Sequence, residues 1–351
     1  SDSDSSCGAA GEVLQRSSSF FPSLEVLKLW QCPQLKGWWR GLPTSGLVME
    51  DDDMMGGESS MITVGGHRLP SFPRLSTLEI YSCSNLTVIP LCPTVETLEL
   101  QSFNERLRIM IKKEEQRGER GSNDSRNSSR DPKMRVLRTD NARHLESLPV
   151  VAFQCLAKLK ISKDSKVESL SKIEEVFRSC SSSLQSLKIT ECIELRSVSG
   201  GLQHLTALES VELINLRELR FDETEGEEEG EEEEHRGMPW RRLAQCLHSL
   251  TLWELPKVDD LPKAICYLTA LQSLAIVTLP LKDLPEWIGC LSSLQSLEIR
   301  YCKYLESLPE ALQKLTSLQQ FRLHDCNEII KRRCESPDGE DWPKIQHIPH
   351  I

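Results

Sequence analysis

The sequence predicts an α/β solenoid, in which short strands from repeated units stack side by side into one parallel sheet. Three observations predict this fold class. The motif L-x-x-L-x-L recurs along the 351 residues, most copies are 20–28 residues apart, and five copies end in Cys at the ninth position. The clearest copies are LEVLKLWQC, LSTLEIYSC, LQSLKITEC, LQSLEIRYC and LQQFRLHDC, which begin at Leu24, Leu75, Leu184, Leu294 and Leu318.

Weaker copies bring the predicted number of units to eleven; they begin at Val95, Met134, Leu156, Leu208, Leu247 and Leu271. Seven of the ten intervals between starts fall in the range of leucine-rich repeats. The spacing L-x-L places alternate side chains on one face of a short strand. One strand cannot bury its leucines alone, so the units must stack. We therefore predict a leucine-rich-repeat horseshoe with a parallel β-sheet on its concave side.

The elements that follow each strand also have a pattern. The repeat cysteines Cys32, Cys83, Cys192, Cys302 and Cys326 stand where the strand turns away from the sheet. A neutral thiol is a small, weakly donating side chain that suits a buried turn, so a structural role is predicted for these cysteines. The late units then continue with L-P-x-x-I/L, beginning at Leu261, Leu284 and Leu308. Proline fixes φ near −65° at the start of a helical turn, which predicts an irregular or short-helical convex side.

The spacing also predicts the domain organisation. Residues 1–19 are predicted to be a disordered N-terminal segment, 20–334 the repeat array and 335–351 a C-terminal tail. Three polar insertions account for the long intervals, at 41–70, 104–133 and 222–240. The third contains Asp222 to Glu234, where ten of 13 residues are acidic, so the net charge of −11 becomes −11 + 10 = −1 without it. Like charges this dense repel one another and predict a disordered loop.

Several classes of protein are disfavoured by the sequence. No run approaches the ~18 apolar residues of a membrane span, and the polar start SDSDSSCGAAGEVL does not resemble a signal peptide. The acidic balance disfavours a general nucleic-acid binder. No C-x-x-C pair, phosphate loop or nucleophile elbow occurs, and the pair His347 and His350 has no cluster to complete a metal site. We therefore expect no enzyme, and no catalytic, metal or cofactor-binding residue in this chain.

Four passages resemble a known family. They are FPSLEVLKLWQCPQLKGWW, LPSFPRLSTLEIYSCSNLTVIPLCP (69–93), the two terminal repeats from LPEWIGC to FRLHDC (284–326) and the tail GEDWPKIQHIPHI (339–351). They resemble the C-terminal leucine-rich-repeat region of plant intracellular NLR disease-resistance proteins of the coiled-coil subgroup. The leucine pattern alone is weakly specific, whereas the terminal repeats with the tail are strongly specific.

The resemblance implies a function in innate immunity and the hypersensitive response. It implies a cytoplasmic protein-recognition and autoregulatory module that binds a pathogen effector or a host protein. It also implies contact with an upstream nucleotide-binding domain of the same protein, and ATP or ADP would belong only to that domain. Two alternatives stay open: a leucine-rich-repeat substrate adaptor of a ubiquitin ligase, and a stand-alone protein-binding scaffold. An extracellular receptor is disfavoured, because the Gly-x-I-Pro pattern of such ectodomains is absent.

Candidate partner contacts follow from the repeat frame, because positions three, five, seven and eight face the concave surface or its rim. Position five places Arg138, Lys160 and Lys188 in three successive units, which predicts a basic ladder that steers an acidic partner or pairs with the acidic loop of the same chain. Aromatic and Arg side chains are the usual energetic anchors of interfaces. The remaining predicted partner-binding residues are Trp30, Tyr81, Trp253, Arg300, Tyr301, Arg322 and His324.

Overall fold

A computed structural model describes residues 21–37, 63–64, 67–68, 72–89, 92–104, 106–109, 133–221 and 238–351. The predicted N-terminal segment and most of the three predicted insertions, including the acidic residues 222–234, lie outside the described residues. Residues 63–64, 67–68 and 108–109, within two predicted insertions, are short strands. The predicted third insertion also includes residues 238–240, which pack against the core through Met238 and Trp240.

Eleven strands of the described chain form one sheet, and each pairs in parallel with the next in chain order. Every strand begins two residues after the start of a predicted unit, including the least regular one at Met134. The strands are β1 (Val26–Trp30), β4 (Thr77–Tyr81), β6 (Thr97–Gln101), β8 (Val136–Thr139), β9 (Lys158–Ser162), β10 (Ser186–Thr190), β11 (Ser210–Ile214), β12 (Ser249–Trp253), β13 (Ser273–Val277), β14 (Ser296–Arg300) and β15 (Gln320–His324).

Two short pairs lie apart from the main sheet. Strands β2 (Thr63–Val64) and β3 (His67–Arg68) pair antiparallel, and β5 (Val88–Ile89) pairs in parallel with β7 (Arg108–Ile109). In the main sheet, positions four and six of each unit point inward: Leu297 and Ile299 in β14 are fully buried, whereas Ser296 and Glu298 are half-buried. The predicted alternation along L-x-L is therefore the observed division between core and surface.

The eighth position of each unit forms a turn that the sequence analysis did not anticipate. In ten of the eleven units this residue has φ between 50° and 63°, although none of the ten is glycine. In eight of these ten turns the backbone N–H donates to the carbonyl at position seven of the next strand, as in Tyr301 N–H to His324 O at 3.0 Å, whereas Ser102 N–H donates to the Asp140 carboxylate. This bond links the turn to the following unit, which offsets the strain of a left-handed conformation.

Four of the five repeat cysteines, Cys83, Cys192, Cys302 and Cys326, occupy the buried turn that was predicted for them, and Cys32 is half-buried. The thiol of Cys83 donates to Tyr81 O at 3.4 Å, and the thiols of Cys192 and Cys302 make the same bond within their own units. Burial raises the pKa of Cys192 to about 12. A protonated thiol that donates to a carbonyl is a structural group, and this geometry agrees with the predicted role.

Short helical segments cross the convex side between strands. Three 3₁₀ turns begin directly after Pro262, Pro285 and Pro309, which confirms the predicted role of the L-P-x-x-I/L motif. The 3₁₀ turns of the described chain are Val150–Phe153, Leu170–Ile173, Leu202–His204, Lys263–Tyr267, Glu286–Cys290 and Glu310–Lys314. The α-helices here are α1 (Arg143–Ser147), α2 (Glu174–Ser179) and α3 (Trp240–Leu243).

The predicted C-terminal tail covers the last repeat. Helices α4 (Glu328–Arg333) and α5 (Trp342–Ile345) follow β15, and the chain then returns to the sheet. Phe321 N–H donates to His350 O at 2.8 Å, and His350 N–H donates to Gln319 O at 3.1 Å. Residue 350 therefore pairs with the outer edge of β15, and an open edge of a sheet is what end caps of repeat proteins must cover.

A buried carboxylate fixes this tail in place. Asp341 is fully buried and accepts bidentate bonds from Arg333 at 2.9 and 3.0 Å. Its Oδ1 also lies 2.9 Å from Lys344 Nζ, and its Oδ2 accepts from the Leu308 N–H at 3.0 Å. Burial by itself raises the pKa of Asp341, but the bonds from Arg333, Lys344 and Leu308 outweigh burial and hold the pKa below its ordinary value. The cap is thus ionised and tied to the last repeat.

Candidate protein-binding surface

The solvent-facing side of the sheet is the concave face of the predicted horseshoe, and we use that name for it. Positions three, five and seven of each strand form three rows across this face, because the strands pair in register from β1 to β15. Lys28, for example, lies opposite Glu79, and Glu298 lies opposite Arg322. Side chains on neighbouring strands in such rows are about 5 Å apart, so each contacts its neighbours.

An aromatic pair lies at the β1 end of the concave face. The rings of Trp30 and Tyr81 are 4.9 Å apart and tilted by 51°, and 61% of the Trp30 surface is exposed. Burial and a hydrogen bond to Glu99 raise the pKa of Tyr81, so its hydroxyl stays protonated and donates to that carboxylate. Tyr81 is therefore held in place before any partner arrives and gives Trp30 a fixed ring to pack against, which lowers the ordering cost of binding.

Glu99 connects this pair to the predicted basic ladder. Only 8% of Glu99 is exposed. Its carboxylate accepts from Gln101 Nε2 at 2.8 Å and from Arg138 NH1 at 3.0 Å. Arg138 therefore forms an ion pair with Glu99 of β6, and the sequence analysis did not include this pair. The pair could have been found from the sequence, because Glu99 and Arg138 both occupy position five of successive units.

The three cations of the predicted ladder lie side by side on the sheet, but their charges are not equivalent. Arg138 lies opposite Lys160, and Lys160 lies opposite Lys188. The two outer members are paired with carboxylates on their outer sides, Arg138 with Glu99 and Lys188 with Glu212. Lys160, between them, has no ion pair within the described residues. The ladder is therefore one free ammonium flanked by two compensated cations.

A second aromatic group lies toward the β15 end. Trp253 is 44% exposed, Tyr301 49% and Tyr304 62%. Tyr304 was missed by the sequence analysis, because it stands in the turn after the repeat cysteine, where we expected only a spacer. Arg300 forms an ion pair with Glu298 of its own strand, and Arg322 and His324 are exposed on β15. Position five is uncharged in β12 and β13, where it is occupied by Thr251 and Ala275.

The structure separates the predicted contacts into three groups. Seven strand steps lie between β1 and β12, which at about 4.8 Å each is roughly 34 Å. Trp30 and Tyr81 therefore cannot contact the same small ligand as Trp253. The arrangement suits an extended macromolecular partner that touches an aromatic group at each end and the cations between them.

The described chain offers no metal-binding cluster and no membrane-spanning helix. Its residues include no group of three or more His, Cys, Asp or Glu side chains placed to hold a metal ion. None of its helices has the length and apolarity that crossing a membrane requires.

Parts of the repeat array are similar in sequence to plant disease-resistance proteins. No family model matches the chain. Disease resistance protein RPP8 of Arabidopsis thaliana is 38% identical over 72 residues, which are 20% of this chain and 8% of that protein. Putative disease resistance protein RGA4 of Solanum bulbocastanum is 42% identical over 53 residues, 15% of this chain and 5% of that protein. The chain is a leucine-rich-repeat protein. Its resemblance to plant disease-resistance proteins, predicted from the sequence, is confirmed.

The extent of these matches limits what they transfer. The matched stretches span less than a tenth of the length of these two relatives. Among solved structures, an internalin from Listeria monocytogenes has a TM-score of 0.41 at 18% identity, covering 72% of this chain and 68% of its own. The Drosophila Toll–Spätzle complex has a TM-score of 0.46 at 19% identity, covering 74% and 32%. The fold is shown here by the chain's own eleven-stranded parallel sheet.

Proposed function

We propose that this chain recognises another protein through its concave face. The supporting observation is that Trp30 and Trp253 are exposed on a rigid parallel sheet and Tyr301 is exposed in the turn after β14. Large aromatic side chains are costly to leave in water and dominate interface energetics when covered. Held by paired strands and the position-eight turns, they lose little freedom on binding.

The finer proposal concerns the partner and its consequence. We propose that the partner is a pathogen effector or a host protein, and that the chain restrains an upstream nucleotide-binding domain, the only place for ATP or ADP, until the partner binds. The similarity to disease-resistance proteins supports this proposal. Binding must differ between the restrained and released states, because a ligand with equal affinity for both shifts neither. Such a module acts in the cytoplasm and by binding, without catalysis.

The experiment compares two matched double variants. Trp253→Ala with Arg300→Ala removes an aromatic group and an arginine from the concave face. Tyr267→Ala with Arg241→Ala removes the same chemistry from the convex side, where the Arg241 guanidinium carbon lies 4.4 Å from the Tyr267 ring centre. We expect the concave variant to lose at least about tenfold in affinity for proteins captured from challenged leaf tissue, with an unchanged melting temperature. The convex variant should bind as the wild type does; equal retention by both variants would contradict the proposal.

A further inference from the structure

The centre of the concave face is a strongly charged patch, which we call the basic centre: Arg138, Lys158, Lys160 and Lys188 on β8, β9 and β10. Over these three strands, positions three, five and seven hold those four cations and one anion, Asp140. The Asp140 carboxylate is already engaged, because it accepts from the Ser102 N–H at 2.5 Å. The patch therefore has excess positive charge.

The excess charge is concentrated on β9. Glu99 compensates Arg138 and Glu212 compensates Lys188, and both carboxylates belong to strands outside the basic centre. Lys158 is exposed and Lys160 half-buried, and neither has an ion pair within the described residues. Like charges that face one another across a sheet destabilise it, so this arrangement favours an anion from outside.

The distance between Lys158 and Lys160 along β9 indicates what shape of anion can pair with both. Residues two apart on a strand are about 6.6 Å apart, because each residue adds about 3.3 Å. An extended acidic peptide with carboxylates on alternate residues has the same repeat. Lys158 and Lys160 can then each meet one carboxylate of a segment that runs along β9. A compact anion such as a single phosphate would contact only one of them at a time.

We propose that the basic centre binds an acidic segment of a partner protein in extended form, with carboxylates at alternate residues paired to Lys158 and Lys160. This inference rests on the proposed recognition function and names the partner's chemistry at the middle of the same face. Charge-assisted hydrogen bonds to both lysines supply the affinity, and the patch raises the association rate. Trp253 and its neighbours lie on other strands and take no part in this contact.

The test uses the full chain and a fluorescent synthetic peptide in which Glu and Ser alternate. A second peptide has the same composition, with its glutamates in one block and its serines in another. We expect Lys160→Glu to weaken binding of the alternating peptide at least about tenfold. The matched control is Lys172→Glu, an equal charge change at an exposed lysine of the 3₁₀ turn Leu170–Ile173, and it should stay within about twofold of the wild type.

Three results would overturn the proposal: no binding of the alternating peptide to the wild type, equal binding to Lys160→Glu, or equal binding of the block peptide. Inorganic triphosphate that binds through Lys160 while the peptide does not would assign the patch to phosphates instead. Lys160→Glu should fold, because it relieves repulsion with Arg138 and Lys188; circular dichroism and melting check this.

The two proposals fail separately. If the alternating peptide does not bind but Trp253→Ala with Arg300→Ala still loses captured proteins, the basic centre is wrong and the recognition function stands. If the peptide binds through Lys160 but the Trp253 variant retains every captured protein, the aromatic anchors are wrong. The peptide should bind that Trp253 variant as it binds the wild type.

Discussion

At the β15 edge the chain folds back over its last repeat, whereas at the β1 edge no strand of the described chain pairs on the outer side of β1. The difference shows in burial. Leu27 and Leu29 of β1 are both half-buried, while at the same positions of β15 Phe321 is fully buried and Leu323 half-buried. Each unit buries its apolar side chains against the units on both sides. Residues at the same position of the repeat therefore contribute less to stability in an edge unit that lacks one neighbour. The comparison teaches that the tail, and not the repeat pattern, completes the last unit.

We expect the largest loss of stability from a substitution that breaks the capped edge. Asp341→Ala leaves Arg333 and Lys344 without their buried partner and removes an acceptor from the Leu308 N–H. Breaking such a buried pair from one side costs about 3–5 kcal/mol of unfolding free energy. Urea unfolding followed by far-UV circular dichroism measures it. Asp338→Ala, an exposed carboxylate in the same tail, is the control and should stay within about 0.5 kcal/mol of the wild type.

The same carboxylate gives the capped edge a pH dependence. The folded pKa of Asp341 lies below its unfolded value of about 3.9, so the stabilisation is complete above that pH and is lost as the pH falls through the folded pKa. Between pH 5 and pH 2, the wild type should lose more unfolding free energy than Asp341→Asn does, because the amide has no proton to gain. Parallel acid-unfolding slopes for the two proteins would remove Asp341 from this account.

A pair of leucine truncations sharpens the contrast between the β1 edge and the closed interior of the sheet. Leu297→Ala should cost about 3–5 kcal/mol of unfolding free energy, because it leaves a cavity in a closed core. Leu27→Ala, at the equivalent position of β1, should cost about 1–2 kcal/mol, since less apolar surface is lost from burial there. Equal losses in urea unfolding would show that the leucines of the β1 edge are covered as completely as those of the interior strands.

The smallest expected effect comes from the ion pair at the β1 edge. Lys28 Nζ lies 2.9 Å from Glu79 Oε1, but the Lys28 side chain is 53% exposed. Exposed pairs contribute about 0.2–1 kcal/mol to unfolding free energy and are weakened by salt. Glu79→Gln should therefore lower stability by less than about 1 kcal/mol, and the loss should shrink in high salt. A loss close to that of Asp341→Ala would contradict the contrast between the two edges.

Much of the fold was predictable from residues that are near one another in the sequence. The motif LQSLEIRYC places two inward-facing apolar residues, Leu297 and Ile299, and a turn cysteine within nine positions. Strand β14 begins where that spacing requires. The candidate site was only partly predictable. The row Arg138, Lys160 and Lys188 follows from counting repeats, but whether each cation is free depends on Glu99 and Glu212. The exposure of Tyr304 depends on how its turn leaves the sheet, which no local pattern specified.

The sequence by itself determined the strands, the buried leucines, the turn cysteines and the proline-led convex turns, because each depends on the spacing of side chains within one unit. The tertiary structure decided which concave cations are compensated, since Glu99 and Arg138 are 39 residues apart and meet only when β6 pairs with β8. It also decided that the tail caps the sheet, because Asp341 is stable as a buried anion only beside Arg333, Lys344 and the Leu308 N–H. Contacts between units need the stacked solenoid before they exist.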